Sequence, residues 1–130
     1  NGFNWRDVSG FAWLELAAHA DKLPQREGKK VRATVLSGAD MLLALQSAEP
    51  FGQTYSPQNG KYDWGSNSSV LNNALVLAAA FDLSGDPKYR SGALEAMEAE
   101  GIKAEARAEK AAIEDAFPMT GPIGIIASEK

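Results

Sequence analysis

The stretch Leu83-Ser84-Gly85-Asp86-Pro87 constrains this chain more than any other. Glycine offers the left-handed conformation in which helices commonly end, aspartate is a favoured N-cap, and proline is pre-organised for the first helical position. Apolar residues recur at helical spacing on both sides of it: Val70, Leu71, Ala74, Leu77, Ala78 and Phe81 before, Tyr89, Ala93 and Met97 after. The segment therefore predicts a tight αα-hairpin. One helix runs from Ser66 or Asn67 to Leu83, and the next starts at Pro87. Leu75 and Val76 make the earlier helix apolar nearly all round, which marks it for burial.

Two further helices precede this hairpin. The first is expected to start after Asn4, whose side chain is placed to accept a bond from the orphan amide near Asp7, and to close at Pro24. Along it Trp5, Val8, Phe11, Ala12, Leu14 and Leu16 wrap widely around the cylinder, predicting burial on more than one side. The second runs from about Lys29 to Ala48, with Val31, Val35, Ala39, Leu42 and Leu43 in one stripe opposite Lys30, Arg32 and Ser37. The chain thus reads as all-α.

The pattern changes at Gly101, which costs about 1 kcal/mol relative to alanine inside a helix. Beyond it Ile102, Ala106, Ile113 and Phe117 belong to a different face from Tyr89, Ala93 and Met97, predicting a kink or a new helix. Residues 118–130 are expected to pack as an extended tail.

Composition narrows the function. A chain of 130 residues that is 45% apolar and 8% aromatic supports one domain with a modest core. Thirteen basic against seventeen acidic residues leave a formal charge of −4, which argues against nucleic acid as a partner. Cysteine is absent, so disulfides, thiol nucleophiles and cysteine-based zinc sites are excluded. The longest apolar run, Val70 to Leu83, contains Asn72, Asn73 and Asp82 and falls short of the roughly 20 residues of a membrane span. No membrane partner is expected. Asn1 to Trp5 lacks the basic and apolar regions of a secretory signal, so a leader is expected to be absent or already removed.

Between Pro50 and Asn67 the composition turns to Gly, Pro, Ser, Asn and Gln, with Phe51, Tyr55, Tyr62 and Trp64 set among them. Long loops inside compact domains commonly carry function, because a rigid scaffold presents their side chains. This loop is the best place to look for a binding surface.

The same region carries a resemblance. Tyr62-Asp63-Trp64-Gly65-Ser66-Asn67-Ser68, then Val70-Leu71-Asn72-Asn73, then Ala80-Phe81-Asp82-Leu83-Ser84-Gly85-Asp86-Pro87-Lys88-Tyr89 closely resemble the family 9 glycoside hydrolases, the cellulase-type endoglucanases and their relatives. The likeness continues through Gly92-Ala93-Leu94-Glu95-Ala96-Met97 and, more loosely, back to Trp5-Arg6-Asp7-Val8. It divides the chain into residues 1–97, similar to the family, and a divergent extension, 98–130. The resemblance implies αα-hairpins from the later part of an (α/α)₆ barrel, an inverting mechanism, and a β-glucan substrate. It also implies secretion of the intact protein. Inverting hydrolysis needs an acid on one side of the scissile bond and a base on the other. Neither the family's early Asp pair nor its late acidic Glu is recognisable here. Where the family continues after Met97 with Leu-Gly-Arg-Asn, this chain reads Glu98-Ala99-Glu100-Gly101-Ile102-Lys103. A truncation, fusion or frame change there accounts for both the departure and the change of helical phase.

The resemblance makes Tyr62, Trp64 and Ser66 the candidate substrate-binding residues. The aromatic pair is suited to the apolar face of a pyranose, and the competing reading is an anchor for the loop. For Ser66 and Asn67, placed just before an apolar helix, capping that helix is the favoured reading over ligand contact. Asn67-Ser68-Ser69 also matches a glycosylation sequon. His19, the single histidine, has no accompanying nucleophile motif and reads as a surface or helix-end residue. Glu95, Glu98, Glu105, Glu109 and Glu114 read as a solvated helical face rather than a metal site. Gly28-Lys29-Lys30 lacks the remainder of a phosphate-binding loop. No catalytic residue, cofactor or metal is assigned.

A barrel sector parted from its neighbours must still hide apolar helix faces, at about 25 cal/mol per Å². A homo-oligomer is therefore expected, completing a helical bundle. Three functions remain open: a family 9-derived segment inactive by itself, a non-catalytic helical oligomerisation module, and a small promiscuous hydrolase with a new, metal-assisted site.

Overall fold

A computed structural model describes residues 6–50, 52–62 and 66–99. Within them lie four α-helices and no strand: α1 (Ser9–Ala18), α2 (Gln25–Ala48), α3 (Ser66–Ser84) and α4 (Pro87–Ala99), with a 3₁₀ turn at Ala20–Lys22.

The hairpin between α3 and α4 forms as its residues dictate. Gly85 takes φ 70° and its amide bonds the Phe81 carbonyl at 2.7 Å. The Asp86 carboxylate then accepts the Lys88 amide at 3.0 Å, capping α4. These two helices make the most extensive pairing in the fold, α3 also packs on α2, and α1 lies chiefly on α2. Small residues set the spacing: Ala39, Ala78, Ala80 and Ala93 are buried with Leu42, Leu77 and Tyr89 in the central core. Short side chains at these positions let the helix backbones approach closely. A second cluster joins Ala17 of α1 to Val31 and Val35 of α2, and a third joins Val70 and Ala74 of α3 to Ala96 of α4.

The predicted stripe of α2 is correct: Val31, Val35, Ala39 and Leu42 are buried and Leu43 is half-buried. The opposite face supplies a tertiary bond, since the Arg32 guanidinium donates to the Leu83 carbonyl at 2.8 Å. A cation is favourable there because the carbonyl end of α3 carries partial negative charge.

The first helix departs from expectation at both ends. It starts at Ser9, because the Asp7 carboxylate accepts both the Ser9 amide at 3.1 Å and its hydroxyl at 2.7 Å, holding a local turn in place of earlier helical bonds. Asn4 and Trp5 lie outside the described residues. It stops at Ala18, where bonds from Lys22 to the His19 carbonyl and from Leu23 to the Ala20 carbonyl tighten the chain into the 3₁₀ turn. Pro24 therefore serves as the extended residue that opens α2, four residues earlier than predicted.

Burial of α1 on several sides is also corrected. Ala17 is buried and Leu14 half-buried, but Val8, Phe11 and Leu16 stay 57%, 51% and 43% exposed. Within the described residues, α1 rests on the rest of the fold along one edge. By contrast α3, apolar nearly all round, is the central helix: Val70, Asn73, Ala74 and Leu77 to Ala80 are all buried by the protein's own neighbours. The expected kink or new helix after Gly101 and the extended tail lie outside the described residues. Among the described residues no helix is long and apolar enough to cross a membrane.

Candidate functional site

In the connection from α2 to α3, the described residues 52–62 are fixed at their root. Thr54 is fully buried, its hydroxyl donating to the Val70 carbonyl at 3.2 Å, and the Asn73 side-chain amide donates to the Thr54 carbonyl at 2.8 Å. A backbone bond from Gly60 to the Pro57 carbonyl at 3.2 Å turns the chain back. Tyr62 then reaches Gln53, its hydroxyl 3.1 Å from the Gln53 Oε1, and its ring lies 6.2 Å from that of Tyr55, tilted by 56°. Tilted ring pairs at such a separation are favourable because of the aromatic quadrupole.

This arrangement frames an open pocket of about 360 Å³ lined by Gln53, Tyr62, Ser66, Asn67, Val70 and Ala99. The volume falls within the range of roughly 300–1,000 Å³ typical of small-molecule sites. Two of the three residues singled out in the sequence, Tyr62 and Ser66, meet here. The third, Trp64, lies outside the described residues. Ser66 and Asn67 lie in the first turn of α3 and both line the pocket.

Every polar lining group among the described residues is uncharged. Carboxamides and hydroxyls both donate and accept, which suits a neutral ligand rich in hydroxyl groups. Tyr62, half exposed at 52%, adds an aromatic surface at the rim. Among the described residues that line it there is no carboxylate. A second groove of about 240 Å³ between α1 and α2 is mostly apolar, lined by Trp13, Leu14, Val35, Met41 and Leu42 among others.

The remaining candidates are dispersed. His19 sits at the end of α1, its Nε2 3.1 Å from a Glu15 carboxylate oxygen one turn back, at the surface. Glu95 and Glu98 are exposed on α4, and Glu105, Glu109 and Glu114 lie outside the described residues. Among the described residues no three His, Asp or Glu side chains converge on a common point. A charged constellation joins α2 to α4: Asp40 lies 3.0 Å from the Lys88 ammonium and accepts the Tyr89 hydroxyl at 2.8 Å. Those bonds, that from Lys88 above all, hold the Asp40 carboxyl below its ordinary value of 3.8. The same partner raises Lys88, and burial raises the Tyr89 phenol.

Sequence reasoning missed Gln53, Thr54 and Asn73. For Asn73 there was a signal: it shares the helical face of Val70, Ala74 and Leu77, and a polar residue on a buried face needs a partner. Gln53 carries none, because its role depends on how the loop folds back.

Known proteins match part of this chain. It is 41% identical over 98 residues to endoglucanase C of Cellulomonas fimi, covering 75% of this chain and 9% of that protein. It is 31% identical over 100 residues to a cellulose 1,4-β-cellobiosidase of Acetivibrio thermocellus, covering 73% of this chain and 11% of that protein. The chain is therefore homologous over about three quarters of its length to segments of cellulases, and spans about a tenth of their length. No protein-family profile matches it, and no solved structure matches it.

Proposed function

We propose that this chain is a sector of a family 9-type cellulase barrel, in which Tyr62, Ser66 and, beside them in sequence, Trp64 form part of a β-glucan-contacting wall. The observation that carries the reading is the neutral pocket of Gln53, Tyr62, Ser66 and Asn67, on a chain whose relatives are cellulases. Hydroxyl-rich chains are held by such carboxamides and hydroxyls, with aromatic rings against the apolar sugar face. The acid and base that break the bond come from elsewhere in the intact enzyme, so the isolated chain is inactive. Two measurements test this: hydrolysis of soluble cellulose, and titration with cello-oligosaccharides. The expected outcome is no turnover, with weak binding that Tyr62→Ala abolishes. Robust turnover overturns the inactivity, and binding unaffected by Tyr62→Ala overturns the assigned wall.

A second reading, an oligomerisation module, is favoured by the apolar surface of α1 and α2. Phe11 and Leu16 are 51% and 43% exposed, and Met41, beside the groove, is 70% exposed. A homo-oligomer formed through this face sediments above the monomer mass, and Met41→Glu returns it to the monomer. A compact monomer of the unaltered chain contradicts this reading.

A further inference from the structure

We propose that Asn59 is a self-modifying site: it loses its side-chain amide through a succinimide formed with Gly60, so that aged protein carries aspartate and isoaspartate beside the candidate pocket.

Asn59 is exposed in the turn that returns the loop to Tyr62. Its successor, Gly60, has φ 71°, and nothing lies within 4 Å of where a Cβ would be. Cyclisation requires the Gly60 nitrogen to swing toward the Asn59 Cγ, a rotation that a residue without Cβ makes at low steric cost. Two bonds hold the resting turn: Gly60 to the Pro57 carbonyl at 3.2 Å, and Lys61 to the Asn59 side-chain oxygen at 3.1 Å. Both belong to an exposed turn, where local opening takes little free energy. Asparagine is among the thermolabile residues, and its surroundings decide which copy reacts. Asn72 and Asn73 lie inside α3, so their successors' amides are committed to helical bonds, and Asn73 is fully buried besides, while Asn67 in the first turn is followed by Ser68, whose Cβ hinders the same rotation.

The chemistry closes with water alone. The Gly60 amide gives its proton to solvent, its nitrogen forms a bond to the Asn59 Cγ, and the Cγ–Nδ2 bond breaks as ammonia leaves with a proton. Water then opens the five-membered ring. Attack at Cγ yields aspartate, whereas attack at the original backbone carbonyl routes the chain through the side chain and yields isoaspartate. The second product adds a methylene to the backbone at residue 59, three residues before Tyr62, and disrupts the local bond to Lys61. The Tyr62–Gln53 contact loosens as a result.

Peptide mapping by mass spectrometry tests this on the full chain, incubated at neutral and mildly alkaline pH. Mapping also separates Asn59 from the other Asn–Gly pair, Asn1-Gly2, which lies outside the described residues. The expected result is loss of the Asn59 amide, faster at higher pH and with isoaspartate present, while Asn67, Asn72 and Asn73 keep theirs. Asn59→Gln should leave the position unmodified. Retention of the Asn59 amide for as long as the helical asparagines keep theirs overturns the proposal, as does amide loss without isoaspartate.

Discussion

The Gln46 side-chain amide donates a 2.9 Å hydrogen bond to the carbonyl of Gly92, joining α2 to α4 inside the protein. The two helices meet there because position 92 has no side chain. A Cβ would collide with Leu43, approach the Gln46 Oε1 to 3.0 Å and the Leu77 Cδ1 to 3.3 Å.

Gly92→Ala is therefore expected to destabilise the fold although alanine is the better helix former. The propensity gain is about 1 kcal/mol, whereas overpacking a filled core costs about 1–3 kcal/mol. The collision with Leu43 and the shift of the Gln46 bond place this site toward the larger figure. Urea denaturation checks the sign: a midpoint raised by Gly92→Ala would show that α4 has room to move away.

Asn73 ties the loop to α3, and its removal should free the loop before it unfolds the protein. Asn73→Ala leaves the buried Thr54 carbonyl unpartnered, a loss of about 1–3 kcal/mol. It also removes Asn73 Oδ1, which is buried with no hydrogen-bond partner, so the loss falls at the lower end. Asn73→Asp should be worse than Asn73→Ala, because it buries a carboxylate against a carbonyl acceptor. Limited proteolysis within residues 52–62 and thermal melts of both variants read the two effects separately.

The Asp40 constellation sets a pH dependence. Its carboxyl sits below 3.8 in the folded protein, chiefly through Lys88 and then Tyr89, while the unfolded chain titrates near that ordinary value. The unfolded state then binds more protons in this window, so the stabilisation is complete above 3.8 and is lost as the pH falls through the lower folded value. Tyr89 works in the opposite sense: its phenol is raised above 10.0 by burial, and stability falls as the pH rises beyond that value. Asp40→Asn should lower the melting temperature at pH 7, with the difference from the unaltered protein shrinking below about pH 4. Added salt should narrow the difference as well, since the ion pair is half exposed. A gap that stays constant down to pH 2 would remove the carboxylate as its source.

The helices were legible because each is specified by neighbours in the chain. Val31, Val35, Ala39 and Leu42 form one face at any position in space, and Gly85-Asp86-Pro87 encodes a stop and a start within three residues. The start of α1 was misread for a reason of the same range: Asp7 and Ser9 bond one another locally, and that turn outweighed the cap expected at Asn4. The candidate pocket was half legible. Tyr62 and Ser66 stood out through their resemblance to cellulases and Asn67 follows Ser66 in the chain, but Gln53 joins them only because the loop turns at Pro57 to Gly60.

By itself the sequence determined that this protein is helical, where its central hairpin turns, and that much of it resembles segments of cellulases, since periodicity, capping and residue identity are carried along the chain. Tertiary structure alone decided which apolar faces find partners. The burial of α3 and the exposure of Phe11 on α1 follow from where whole helices lie, as do the pairings of Gln46 with Gly92 and of Thr54 with Asn73. The physical reason is distance in sequence: those hydrogen bonds join residues 46 and 19 positions apart, and hydrophobic burial rewards any apolar partner without naming it.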